Sequence, residues 1–140
     1  MSATRILGID PGTNILGFAV IEVERDHIRV LEIGVVHLKE KKDQNEKLRD
    51  IFLEVQEIIE RYLPKDLAIE APFFGKNVQS MLKLGRAQGV AMAAGMTMGL
   101  QITEYSPKKI KQSVTGNGNA AKEQVASMLC KMLSLQPEKL

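Results

Sequence analysis

Ile6-Leu7-Gly8-Ile9-Asp10-Pro11-Gly12-Thr13-Asn14-Ile15-Leu16-Gly17 begins as a short apolar run of strand type and ends in a carboxylate followed by Pro-Gly, a strong turn signal. An acid at the tip of a buried strand is costly to desolvate, so it tends to sit where a cation or a bound partner compensates it. The glycines around Asp10 let something large and charged approach the backbone. Capping of the turn by Asp10 is the competing reading of this stretch alone. A second apolar run, Asp66-Leu67-Ala68-Ile69-Glu70, also ends in an acid and tilts the balance toward a site.

Around these two runs the chain reads in order. Arg5 to Asp10, Ile15 to Val23 and Ile28 to Leu38 are predicted strands joined by short turns, which makes an antiparallel meander. His27 and His37 fall at the ends of the third strand, at solvated positions. Leu48, Ile51, Phe52, Val55, Ile58, Ile59 and Tyr62 form one helical stripe, opened by Asp43 with Glu46 in a capping-box spacing and ended by Pro64. Asp66 to Glu70 is a fourth strand, and a loop from Ala71 to Lys76 carries Phe73 and Phe74. A helix follows, from Asn77 or Ser80 to Gly99. Gly85, Gly89, Gly95 and Gly99 lie along it at helical spacing. Each interior glycine costs about 1 kcal/mol relative to Ala, which implies close packing against a sheet or another helix. Gln101 to Tyr105 is a fifth strand. A short helix opened by Pro107, a Thr115–Asn119 loop and a last helix with Val125, Met128, Leu129, Met132 and Leu133 on one face complete the chain. The order implies an α/β fold: a mixed five-stranded sheet, an antiparallel meander plus parallel strands, with helices on both faces.

Composition bounds the function. The chain has 140 residues, enough for one domain, with 44% hydrophobic and 26% charged residues, as in ordinary globular proteins. Its net charge of +2 does not by itself demand nucleic acid. A single cysteine excludes an internal disulfide and fits a reducing compartment, the cytoplasm. The N-terminus lacks the long apolar segment of a secretory signal, and the most apolar stretch, Val90 to Leu100, is too short and glycine-rich to cross a bilayer. The two histidines stand apart from any Cys-His cluster, so a zinc site is not expected.

The first and fourth strands can lie side by side in such a sheet, which brings Asp10 and Glu70 together. Two adjacent carboxylates repel unless a cation lies between them or one holds a proton. No sugar-site pattern and no nucleophile-base pair accompanies them, so a divalent metal is the better compensator, and oxygen ligands favour Mg²⁺ or Mn²⁺. Two such ions about 4 Å apart can drive phosphodiester hydrolysis. Lys108, Lys109, Lys111 and Lys122 cluster around a glycine loop, and Lys76 follows the aromatic loop, all suited to phosphate contacts. Phe73 is placed to stack on an unpaired base, whereas Phe74 is read as a core plug.

These segments resemble the RuvC family of bacterial Holliday-junction resolvases. The resemblance is carried by Gly8-Ile9-Asp10-Pro11-Gly12 with Gly17, by Ile69-Glu70 with Phe73 and Lys76-Asn77, by Leu82 through Val90, by Lys111 through Gly116, and by Ala121-Lys122. It implies an RNase H-like fold, a homodimer packed through the long helix, and a Mg²⁺-dependent endonuclease that makes paired nicks at four-way DNA junctions. It assigns Asp10 and Glu70 to metal binding and catalysis, Phe73 to the opened junction, and Lys111 and Lys122 to the DNA backbone. It further implies a branch-migration motor as partner, in recombination and repair. The family carries two more aspartates in an Asp-Ala-x-Asp pattern on a C-terminal helix. That pattern does not occur before Leu140, and Glu138 does not stand in it, so residues 1–140 read as a single nuclease domain without that acidic segment, cut from a longer natural protein. Three other readings compete. A nucleotide-binding domain of the actin and sugar-kinase type would need a second domain. An RNA-processing relative fits the aromatic loop poorly. A non-catalytic junction-binding dimer would follow from the absent acids.

Overall fold

Alternation along the first strand sets the architecture. In β1 (Thr4–Asp10) Leu7 and Ile9 are buried on one face, while Gly8 and Asp10 point to the other. The computed structural model describes residues 3–38, 43–71 and 77–106. They form β1, β2 (Ile15–Glu24), β3 (His27–His37), α1 (Gln44–Tyr62), β4 (Asp66–Glu70), α2 (Val78–Thr97) and β5 (Gln101–Tyr105). The five strands make one sheet in the order β3-β2-β1-β4-β5. β1, β2 and β3 are the antiparallel meander, and β4 and β5 add in parallel. Both described helices bury their apolar sides on the same face. Ile51, Val55, Ile58 and Ile59 of α1 and Ala87, Ala91 and Ala94 of α2 join Leu7, Ile9, Leu16, Val20, Leu67 and Ile69 in one core. The helices expected after Ser106 lie outside the described residues.

Local chemistry accounts for the helix ends. Asp43 caps α1, its side chain accepting from the Glu46 N–H at 2.8 Å. The helix stops at Tyr62 because Leu63 turns into the left-handed region (φ 52°), its N–H donating to the Ile59 carbonyl at 2.8 Å, just before Pro64. Asn77 caps α2 in the same way, accepting from the Ser80 N–H at 3.1 Å.

The glycines of the long helix divide into two kinds. A Cβ at Gly95 would lie 2.9 Å from Ile102 Cδ1 and 3.5 Å from Leu67 Cδ1, so this residue lets α2 settle onto β4 and β5. Gly85 and Gly89 have nothing within 4 Å of a Cβ position, so close packing within the described chain does not explain them. Gly99 lies beyond the helix, in a left-handed turn (φ 82°).

At the opposite edge of the molecule from the acids, the Arg5 guanidinium ties three elements together. Its Nε donates to Glu22 Oε2 at 2.9 Å and its Nη1 to the Tyr62 carbonyl at 2.8 Å, while Arg29 donates to the other Glu22 oxygen at 2.9 Å. A bulge between Val20 and Ile21 leaves Leu31 without a paired residue and brings Glu32 under α1, where it accepts from the Tyr62 hydroxyl at 2.7 Å and from Arg61 at 3.0 Å.

The Arg5 hydrogen bond holds the Glu22 carboxyl below its ordinary value of 4.5, against an opposing desolvation, with the charges of Arg29 and Arg5 adding to the lowering. A lowered native value means that this stabilisation is complete above the ordinary value and is lost as pH falls through the native one. Glu22→Gln should therefore flatten the acid limb of stability against pH below about 4.5 while changing its slope little near neutrality, as measured by urea unfolding across that range.

Candidate functional site

The site follows from the parallel pairing of β1 with β4. The register runs from Ile6 opposite Asp66 to Ile9 opposite Ile69, so the next residues, Asp10 and Glu70, end neighbouring strands on the face without described helices. Neighbouring strands are about 4.8 Å apart, which puts the two carboxylates within reach of one ion. Both line an open cleft on that face, and the sequence expectation that these acids meet is met by the backbone register.

Small residues shape the cleft. Gly8 and Ala68 sit one step back from the acids on β1 and β4, and Gly17 and Ala19 lie opposite Asp10 and Gly8 on β2. Their lack of bulk keeps the sheet surface low beside the carboxylates. Ile33 and Val35 of β3 extend the surface, with Val35 exposed.

Each acid is followed by pinned backbone. After Asp10 the chain turns through Gly12, where a Cβ would overlap the Ile15 carbonyl oxygen, so only glycine fits. The Asn14 carbonyl accepts from the Leu38 N–H at 2.8 Å, and its side-chain oxygen accepts from Lys47 Nζ of α1 at 2.8 Å. After Glu70, the Ala71 N–H donates to the Tyr105 carbonyl at 2.7 Å. Tyr105 pairs with Glu70 at the end of the β4–β5 ladder and lines the same cleft. In the sequence Tyr105 stands out only as the end of a strand; the signal for more is that β4 and β5 are equally long and close on Glu70 and Tyr105.

Carboxylate oxygens suit a hard divalent cation such as Mg²⁺ or Mn²⁺. Asp10 and Glu70 fit such an ion in donor type and in placement. Among the described residues no group of three or more His, Cys, Asp or Glu side chains that could hold a metal is gathered. Phe73, Phe74, Lys76, Lys108, Lys109, Lys111 and Lys122 lie outside the described residues. No described helix is long and apolar enough to cross a membrane.

A mixed sheet of this order, with acids at adjacent strand tips on a face without described helices, is that of an RNase H-like α/β protein. The family model for crossover junction endodeoxyribonuclease RuvC matches residues 6–139. The RuvC protein of Cytophaga hutchinsonii is 56% identical over 131 residues, covering 94% of this chain and 66% of that protein. That of Christiangramia forsetii is 58% identical over 130 residues, covering 93% and 68%. The solved structure of Thermus thermophilus RuvC in complex with a Holliday junction substrate superimposes with a TM-score of 0.87 at 33% identity, covering 95% of this chain and 81% of that one. The chain belongs to the RuvC family of crossover junction endodeoxyribonucleases, nucleases that hydrolyse phosphodiester bonds and depend on a divalent metal. It spans about two thirds of the length of these curated relatives.

The low cleft floor yields a test. A Cβ on Gly8 would meet only the Ala19 carbonyl oxygen, at 3.8 Å, an ordinary contact, so Gly8→Val starts its side chain without a clash and projects its methyl groups into the cleft beside Asp10. Its melting temperature should stay within a few degrees of the parent while junction cleavage falls roughly a hundredfold, the scale of a small misplacement of reacting groups. Thermal melts and a cleavage assay on the same preparation check both halves.

Proposed function

We propose that this chain is the nuclease portion of a Holliday-junction resolvase, which cuts four-way DNA by Mg²⁺-assisted phosphodiester hydrolysis, with Mn²⁺ able to substitute. The carrying observation is the meeting of Asp10 and Glu70 at neighbouring strand tips on the open face of the sheet. In this reading Asp10 and Glu70 are the catalytic carboxylates and hold the metal, which when bound activates water and offsets charge on the leaving oxygen. Gly8, Gly17, Ala19 and Ala68 admit the DNA backbone to the acids. Gly12 and Asn14 fix the turn behind Asp10, so the carboxylate is held before substrate arrives. Lys76, Lys111 and Lys122 contact phosphates, and Phe73 enters the opened junction, as the family resemblance implies. The work belongs to recombination and repair in the cytoplasm, alongside a branch-migration motor.

A homodimer completes the reading, because paired nicks need two active sites. Its support is one stripe of α2. Leu82 and Met96 are more than half exposed (54% and 56%), and Gly89, on the same side of the helix, has open space where a side chain would be. A solvated glycine in a helix interior costs about 1 kcal/mol relative to Ala, a cost that close approach of a second helix offsets. Gly89→Glu should convert dimer to monomer by sedimentation while keeping the monomer folded. An unchanged dimer would remove α2 from the interface.

The function is tested by incubating the protein with a four-way junction and a matched linear duplex, with and without Mg²⁺. Paired nicks in the junction alone, dependent on Mg²⁺, are expected. Asp10→Asn and Glu70→Gln should each abolish nicking yet retain junction binding within a few-fold. Selective binding without nicks would instead favour a structure-selective DNA-binding protein, and no preference for the junction would overturn the assignment.

A further inference from the structure

Among the described residues, those lining the cleft that holds Asp10 and Glu70 are short of hydrogen-bond donors. Ionised carboxylates only accept hydrogen bonds. Most of the other described residues that line the cleft bring aliphatic chains or no side chain at all, and Phe18 brings a bare ring. Among the described lining residues, Tyr105 is the one whose side chain carries a hydrogen-bond donor. A phosphodiester brings oxygens that only accept, and beside two acids those oxygens need donors as well as a cation. Tyr105 stands where such a donor is needed. It is the β5 partner of Glu70, on the same face of the sheet, and the residue remains 39% exposed. Its carbonyl accepts from Ala71 at 2.7 Å, so its backbone is fixed to the residue that follows the acid. A group carried on a paired strand end is held more firmly than one on a loop.

We infer that Tyr105 is a substrate-contact residue of the cleavage reaction, its phenol donating a hydrogen bond to a non-bridging oxygen of a DNA phosphate bound across Asp10 and Glu70. The inference rests on the nuclease reading above and adds to it a residue and an atom. Charge on the non-bridging oxygens grows as water adds to phosphorus, so the bond strengthens on the way to the transition state and acts on the cleavage step more than on binding. The aromatic ring also walls the β5 side of the cleft, but the role assigned here belongs to the hydroxyl alone.

Tyr105→Phe isolates that hydroxyl, since it keeps the ring and the strand. In single-turnover cleavage of a four-way junction with protein in excess, the variant should cut about tenfold more slowly, the scale of one hydrogen bond to a charged oxygen. Junction affinity should stay within about twofold, because many phosphate contacts share it. The melting temperature should be unchanged. Cleavage at the parent rate would overturn the inference. So would slower cleavage that comes with a lower melting temperature or with a matching loss of affinity, because the tyrosine would then serve folding or general binding. If the parent protein itself fails to nick the junction, the nuclease reading fails. If the parent nicks and Tyr105→Phe equals it, only the role of Tyr105 fails.

Discussion

The parallel pairing of β1 with β4 is the constraint on which the molecule depends. Four rungs, Ile6–Asp66 through Ile9–Ile69, align two strands that are far apart in sequence, and the next residue on each is an acid. Parallel strands need a crossover connection, and α1 supplies it on the face where Leu7, Ile9, Leu67 and Ile69 are buried. The same pairing therefore builds the core on one side of the sheet and gathers the carboxylates on the other. Like charges at this spacing oppose folding unless a cation or solvent screens them, so the apolar rungs beneath them must outweigh that repulsion. Leu7, Leu67 and Ile69 are among the largest fully buried side chains, which places the strongest packing directly behind the acids.

The helices contribute differently. α1 runs from the acid end of the sheet, where Lys47 holds Asn14, to the far end, where the Tyr62 carbonyl receives Arg5. It thereby braces both ends of β1. α2 lies close to β4 and β5 through Gly95 and leaves Leu82, Gly89 and Met96 toward solvent. One helix thus serves the single chain along its length, and the other is divided between the chain and an outward surface.

Much of this was legible in the residues. β4 and β5 occupy the expected Asp66–Glu70 and Gln101–Tyr105, because short apolar runs bounded by turn signals have few ways to be misread. α1 was legible from its 3.6-residue stripe, although it begins at Gln44, ahead of the first apolar position, because Asp43 sets the cap. Asp10 and Glu70 could be named because acids at strand tips are uncommon, but their meeting depends on strand order, which local pattern does not carry. Tyr105 escaped notice for the same reason: tyrosine is an ordinary strand residue until the register sets it beside Glu70. The glycines of α2 misled in part, since spacing alone does not distinguish Gly95, pressed on Ile102, from Gly89, open to solvent.

Because side chains alternate along β1, Leu7 and Ile9 belong to the core while Gly8 and Asp10 belong to the cleft. A slip of β1 by one residue would drive Asp10 into the packed face and turn Ile9 out into water. The misaligned sheet would lose apolar burial and gain a buried charge at once, so the residue that serves chemistry also penalises the wrong register. The acid at the strand tip is in this sense a proofreading element of folding, and a protein with a neutral residue there would align its central strands with less discrimination.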